Sequence, residues 1–146
     1  MSQIPYEGEP LKSDSCYSWT VEVKKEGGQA AVVSEEASFE TAFYSDSEWN
    51  AEWITEPQNT YHLYRTEFKA DEKIAKAKLY ICGLGHEECV INGKLVTDAV
   101  MEAGWTDYNK SCLYCAYDVS ELVTAGDNAI CVCLLYTSPS PRDYAA

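Results

Sequence analysis

Cys89-Val-Ile-Asn-Gly-Lys-Leu-Val96 decides the fold class. Two short apolar runs flank Asn92-Gly93. A two-residue connection of that composition closes a β-hairpin, because a type I′ turn needs positive φ at both central positions and Asn and Gly accept it at the least cost. The same period-two pattern spreads outward from the hairpin. Ala77, Leu79 and Ile81 alternate with Lys76, Lys78 and Tyr80, and residues 61–68, 112–117 and 127–132 read as further strands.

Towards the N-terminus, Tyr17, Trp19, Val21 and Val23 alternate with Ser18, Thr20, Glu22 and Lys24, which predicts a strand with one buried face. Glu26-Gly27-Gly28 predicts a turn, and residues 30–33 and 37–42 two more strands. Tyr44-Ser-Asp-Ser-Glu-Trp-Asn-Ala51 is polar and separates this pattern from the second one, so a domain boundary is expected there. Asp118-Val-Ser-Glu121 has the spacing of a capping box and predicts a short helix through Val123, closed near Gly126. No stretch has the period of a long helix, and the expected class is all-β.

Charge and cysteine usage bound the function. The chain carries 24 acidic against 11 basic residues, a net charge of -13. Such a balance, with no Lys/Arg run to neutralise phosphates, argues against nucleic acid and against anionic membrane surfaces as partners. No apolar stretch approaches the ~20 residues that span a bilayer. The first residues, Met1-Ser-Gln-Ile-Pro-Tyr-Glu-Gly-Glu-Pro10, lack the basic and apolar regions of a signal peptide. Seven cysteines form no even framework of the kind found in secreted disulfide scaffolds. Cys16, Cys82, Cys89, Cys112, Cys115 and Cys131 mostly lie in strand-like apolar runs, where a free thiol acts as a small hydrophobe; this favours a reducing compartment, the cytoplasm. Cys112-Leu-Tyr-Cys115 has the spacing of half a zinc site, but no second pair follows, and positions three apart on a strand face opposite ways. Neither metal nor cofactor is expected.

Few residues suggest chemistry. The two histidines, His62 and His86, have no nucleophile placed beside them by spacing. Gly83-Leu-Gly85 precedes no helix and reads as a bend rather than a phosphate loop. Glu87 and Glu88, adjacent on a strand, point to opposite faces and are not a paired acid and base. Arg65 reads as a surface or interdomain ion-pair partner. The aromatic content, 4 Trp and 11 Tyr, suits strands and also sugar-stacking surfaces. In Gly104-Trp-Thr-Asp-Tyr108, Trp105 and Tyr108 supply flat apolar faces and Asp107 a polar rim; these three are the candidate carbohydrate-binding residues. The ordinary reading of such aromatics is burial beneath their own loop or against a neighbouring domain.

The order of motifs carries a resemblance. Trp49-Asn-Ala-Glu-Trp-Ile54, Tyr64-Arg-Thr-Glu-Phe68, Ala77-Lys-Leu-Tyr-Ile-Cys-Gly-Leu-Gly85, Val90-Ile-Asn-Gly-Lys94, Gly104-Trp-Thr-Asp-Tyr108, Tyr117-Asp-Val119 and Gly126-Asp-Asn-Ala-Ile130 resemble the N-terminal accessory domain of bacterial α-L-rhamnosidases of the inverting, (α/α)6-barrel family. Pro5-Tyr-Glu-Gly-Glu-Pro-Leu-Lys-Ser13, Tyr17-Ser-Trp-Thr-Val21 and Ala37-Ser-Phe-Glu-Thr41 resemble the end of the fibronectin-III-like module before it.

The resemblance implies that residues 1–43 are the C-terminal part of that module. It further implies that residues 44–132 are an incomplete jelly-roll-like β-sandwich of a glycoside hydrolase releasing terminal α-L-rhamnose from plant glycosides or polysaccharides. The family's acid and base lie on the barrel, so no catalytic residue is expected in this chain and none of its positions is carried over. Rhamnose-containing glycosides, through the parent enzyme, and other domains of the same polypeptide are the implied partners. A stand-alone carbohydrate-binding sandwich and a purely structural spacer are the alternatives.

A second resemblance concerns the end of the chain. Cys133-Leu-Leu-Tyr-Thr-Ser-Pro-Ser-Pro-Arg-Asp143 resembles one reading frame of a transposase-based sequencing-library adapter. Residues 133–146 are accordingly expected to be an adapter-derived, disordered tail with no part in the fold.

Overall fold

The computed structural model describes residues 5–24, 27, 32–55, 62–72, 74–100 and 102–135. Among the described residues every element but one is a β-strand, in keeping with the alternation and the wealth of β-branched and aromatic residues. No helix among the described residues is long and apolar enough to cross a membrane. Contacts divide the chain into two compact units, residues 1–54 and 55–146.

In the first unit, β1 (Cys16–Trp19) pairs antiparallel with β4 (Ala37–Glu40), and β2 (Glu22–Val23) with β3 (Val32–Val33). Tyr17 opposes Phe39, and their rings stack at 5.5 Å. Thr41 closes the strand ends: its hydroxyl accepts from the Ser15 N–H at 2.9 Å and donates to the Lys12 carbonyl at 2.6 Å.

The polar 44–51 segment holds a 3-10 turn, Asp46–Glu48, that the sequence reading did not anticipate. Its cause is a capping box. Ser45 accepts from the Ser47 N–H, while the Glu48 carboxylate accepts from the Tyr44 and Ser45 N–H groups, both at 3.0 Å. The Ser13 hydroxyl and these two N–H groups hold that carboxylate below its usual range. Phe43 packs edge-on against Trp49 at 6.2 Å.

The expected buried face of residues 17–23 is not found. The strand breaks between Trp19 and Glu22, and Trp19, Val21 and Val23 stand exposed, with Val32 and Val33 beside β2 equally so. A two-stranded ribbon has no opposing layer of its own, so its apolar face is left open.

The second unit contains β5 (His62–Ala70), β6 (Lys78–Ile81), β7 (His86–Ile91), β8 (Lys94–Leu95), β9 (Cys115–Asp118) and β10 (Gly126–Leu135). Four strands form one sheet in the order β5-β10-β7-β8, and β6 pairs with β9 in a second sheet. The Asn92-Gly93 hairpin forms as expected, with φ of 50° and 80°.

Register puts Asn128, Ile130, Val132 and Leu134 of β10 opposite Ile91, Cys89 and Glu87 on one side and Phe68, Thr66 and Tyr64 on the other. This is the inner face: Cys89, Ile91, Leu134 and Asn128 are all buried on it. The outer face of β5 carries Leu63, Arg65, Glu67 and Lys69. Arg65 and Glu67 pair at 2.6 Å, and such charges discourage edge-to-edge pairing.

Two further expectations are corrected. The Asp118 segment makes a turn and not a helix. Asp118 accepts from the Ser120 N–H at 3.0 Å, and Leu122 and Val123 return to the Val119 carbonyl. The Ser120 hydroxyl accepts from the Ala77 N–H at 2.9 Å and ties this turn to the start of β6. The tail is also shorter than expected, because Cys133–Leu135 complete β10. Cys133 opposes Leu63 and Glu88, and Leu134 is buried. Cys-Leu-Leu continues the apolar pattern of Ile130 to Val132, and the ladder accepts any residues that do so. The remainder of the adapter-like stretch, residues 136–146, lies outside the described residues, as do residues 26, 28, 30 and 31 of the N-terminal turn and strand.

Candidate functional site

The loop between β8 and β9 presents the candidate residues. Ala103 enters it at φ 54°. The Asp107 carbonyl then accepts from the Lys110 N–H at 2.8 Å and the Ser111 N–H at 3.0 Å, while the Thr106 hydroxyl donates to the Ser111 carbonyl. The loop is thereby stapled to itself.

Trp105 and Tyr108 come out on the surface, Trp105 at 75% exposed and Tyr108 at 40%. Burial of Trp105 beneath its own loop is therefore excluded. Trp105 thus presents an open aromatic face beside the bonded Thr106–Ser111 segment. Leu113, half-exposed, lies beside Gly104, 3.9 Å from where a Cβ would stand.

Asp107 is occupied within the loop. One carboxylate oxygen pairs with Lys110 Nζ at 2.9 Å, and the other accepts from the Asn109 N–H and side-chain amide. The Lys110 ammonium first, then the Asn109 N–H, hold its carboxyl below the usual range. Its present geometry makes it the loop's fastener.

Elsewhere in the second unit a few ionisable groups turn inward. Glu87 is on the inner face with Cys89 and Ile91, whereas Glu88 is exposed on the other side, as strand alternation demands. Both Glu87 oxygens, Glu102 Oε2 and His86 Nδ1 are enclosed without a hydrogen-bond partner. Burial, then the neighbouring Glu102, raises the Glu87 carboxyl above its ordinary value. Burial pushes the Cys82 and Cys89 thiols up to about 11. Among the described residues, no group of three or more His, Cys, Asp or Glu could hold a metal ion. The side chain of His62 lies outside the described residues. Sequence reading missed the inward role of Glu87, although its phase with Cys89 and Ile91 already placed it on the core side.

Residues 72–135 match the family model described as the α-L-rhamnosidase N-terminal domain. Residues 1–45 match that of the Rha78A-like N-terminal immunoglobulin domain, a sandwich of the same architecture as the expected fibronectin-III-like module. An α-L-rhamnosidase of Formosa agariphila is 34% identical over 87% of this chain, which spans 15% of that protein. Two solved structures are similar as well. An α-L-rhamnosidase from Dictyoglumus thermophilum matches 88% of this chain at 35% identity and a TM-score of 0.78, over 17% of its own length. The native enzyme of the same name from Aspergillus terreus matches 87% at 31% identity and 0.74, over 16%.

Proposed function

Taking as premise that this chain carries the N-terminal domains of α-L-rhamnosidases, non-catalytic and a small part of the relatives' length, we propose that it serves an α-L-rhamnosidase as a docking module. The whole protein would release α-L-rhamnose from glycosides, and this portion would seat its apolar faces on other domains of the same polypeptide. One observation carries the docking role. Trp19, Val21 and Val23, which share one phase along the chain, and Val32 and Val33 of β3 are all between 45% and 66% exposed. Apolar surface of that kind is what an interdomain contact covers. The free thiols of both units fit a reducing compartment for the protein.

Two measurements test this reading. The purified chain should not turn over an aryl α-L-rhamnoside; hydrolysis would remove the non-catalytic assignment. Mixed with the Dictyoglumus relative lacking its matched N-terminal portion, the chain should associate, and Val21→Ser with Val32→Ser should weaken that association at least several-fold. Equal binding by the variant, or none by the parent chain, would remove the docking role.

A carbohydrate surface at Trp105, Asp107 and Tyr108 is the second reading, favoured by the exposure of Trp105 on a self-stapled loop. In it Trp105 stacks on a sugar ring, Tyr108 borders it, and Asp107 keeps the loop in shape. Calorimetric titration with rhamnose and rhamnosides, repeated on Trp105→Ala, decides it: heat lost in the variant supports the platform, and no heat in either protein ends it.

A further inference from the structure

We propose that the outer edge of β5 is a self-association surface, on which a second copy of this chain lays its own β5, antiparallel about a two-fold axis at Thr66. β5 ends the sheet order β5-β10-β7-β8, so among the described residues it has a strand neighbour on one side only. The backbone groups at its edge follow from β10. The Ala129 N–H and carbonyl both bond Asn92, on the β7 side. Alternation along β10 then turns the groups of Asn128, Ile130 and Val132 towards β5, where they oppose Phe68, Thr66 and Tyr64. The N–H and carbonyl groups of Leu63, Arg65, Glu67 and Lys69 are left pointing outward, where a further strand would bond them.

The charges that turn away an arbitrary strand suit a second copy of this one. Thr66 is the midpoint of the nine-residue strand, so an axis there gives every position of β5 a partner. Arg65 of each copy then faces Glu67 of the other in hydrogen-bonded positions, and Leu63 faces Lys69. The Arg65–Glu67 pair within one strand is exchanged for two pairs between strands. On the inner face Tyr64 meets Phe68 in non-hydrogen-bonded positions, where side chains come closest.

Neighbouring registers are penalised. An axis at Arg65 sets that residue against its own copy. An axis at Glu67 sets Glu67 against itself and Arg65 against Lys69. Like charges directly opposite one another destabilise a ladder, so the charge pattern selects the full-length register. The edge alone buries less surface than a stable interface, and each copy carries a net charge of -13. The dimer is accordingly weak and reversible.

The experiment is analytical ultracentrifugation of the full chain from about 10 to about 500 µM, in about 0.15 M salt to screen the long-range repulsion. The average mass should rise towards twice that of the monomer. Arg65→Glu and Glu67→Arg should each move the midpoint about tenfold or more to higher concentration. The two variants shift net charge in opposite directions, so a common loss cannot come from overall repulsion. The double variant restores both pairs with signs exchanged and should recover the parent's midpoint. Val21→Ser with Val32→Ser should leave it unchanged, which separates this edge from the exposed valines of the first unit. Amide exchange at Arg65 and Glu67 should slow as concentration rises, while Tyr64 and Thr66, bonded to β10, stay protected throughout. A chain monomeric at every concentration, or a dimer that the charge reversals do not weaken, would overturn the proposal. If a variant fails to fold, the unsubstituted chain still decides: exchange at Arg65 and Glu67 that ignores concentration ends it.

Discussion

The side-chain amide of Asn92 donates to Asn128 Oδ1 at 2.7 Å, tying the hairpin turn to the buried end of β10. Asn92 also donates to the Leu122 carbonyl and accepts from the Ala129 N–H, both at 2.9 Å, while its own N–H bonds the Ala129 carbonyl. Its left-handed backbone rotates the main-chain carbonyl out of the ladder, and the side-chain carbonyl stands in for it. Asn128, 3% exposed, in turn binds Thr124 through its N–H, hydroxyl and carbonyl, and the Gly126 carbonyl. A buried polar side chain is tolerated only when satisfied in this way.

Asn128→Ala strands several of these groups and should cost about 2–4 kcal/mol in urea unfolding. Asn92→Gly keeps a residue that accepts positive φ but loses three side-chain bonds; a loss of about 1–3 kcal/mol is expected. An Asn92→Gly chain as stable as the parent would show that only the backbone angle matters at this position.

Two glycines should fail for different reasons. A Cβ at Gly93 meets nothing within 4 Å, yet φ is +80°, so Gly93→Ala should cost about 1–2 kcal/mol of backbone strain alone. Gly83 has the opposite problem, since a Cβ there strikes the Glu87 carboxylate. Gly83→Ala should be partly rescued by Glu87→Ala, with a coupling of about 0.5–3 kcal/mol in a double-mutant cycle, whereas Gly93→Ala should not be.

Trp105→Ala should leave stability within about 0.5 kcal/mol, because the indole is 75% exposed. A larger loss on denaturant unfolding would mean that the indole packs in solution. Asp107→Ala should instead loosen the loop, seen as faster amide exchange at Lys110 and Ser111, whose N–H groups bond the Asp107 carbonyl.

Alkylation should sort the thiols. Cys16 is exposed, while Cys89 is buried with its thiol pushed up to about 11. Iodoacetamide attacks the thiolate, so at neutral pH Cys16 should react at least tenfold faster than Cys89 in the folded chain. Denaturant should erase the difference. Equal rates without denaturant would indicate that the inner face of the sheet is open.

What the sequence revealed was local. Asn92-Gly93 specifies its turn through two backbone angles, and strand alternation put Glu88 outside, because both depend on near neighbours alone. Ser45-Asp-Ser-Glu48 also announced its capping box, but polarity masked it as mere linker. Asp118-Val-Ser-Glu121 shows the converse. Its spacing suits a helix, yet the chain makes only a turn about Val119, where Ser120 bonds Ala77, 43 residues away, a contact no local pattern encodes. Asn128 was likewise unreadable, since its partners gather only after the hairpin, the turn and β10 meet. For the candidate site, position was legible and role was not. The Gly104 to Tyr108 motif marked the loop, but the Lys110 and Asn109 bonds that occupy Asp107, and the outward turn of Trp105, are consequences of three-dimensional closure.

The sheet order β5-β10-β7-β8 sets the timetable of synthesis as well as the architecture. β10 is the last described strand to leave the ribosome, yet it lies between β5 and β7, which do not pair with each other. Until it emerges, the nascent chain can assemble the β7–β8 hairpin but has nothing to join that hairpin to β5. Both strands must wait with open edges, and the final insertion recruits partners made long before. Translation speed through the β10 codons, and any holdase that shields those waiting edges, should therefore govern the yield of folded protein more strongly than changes to the hairpin itself.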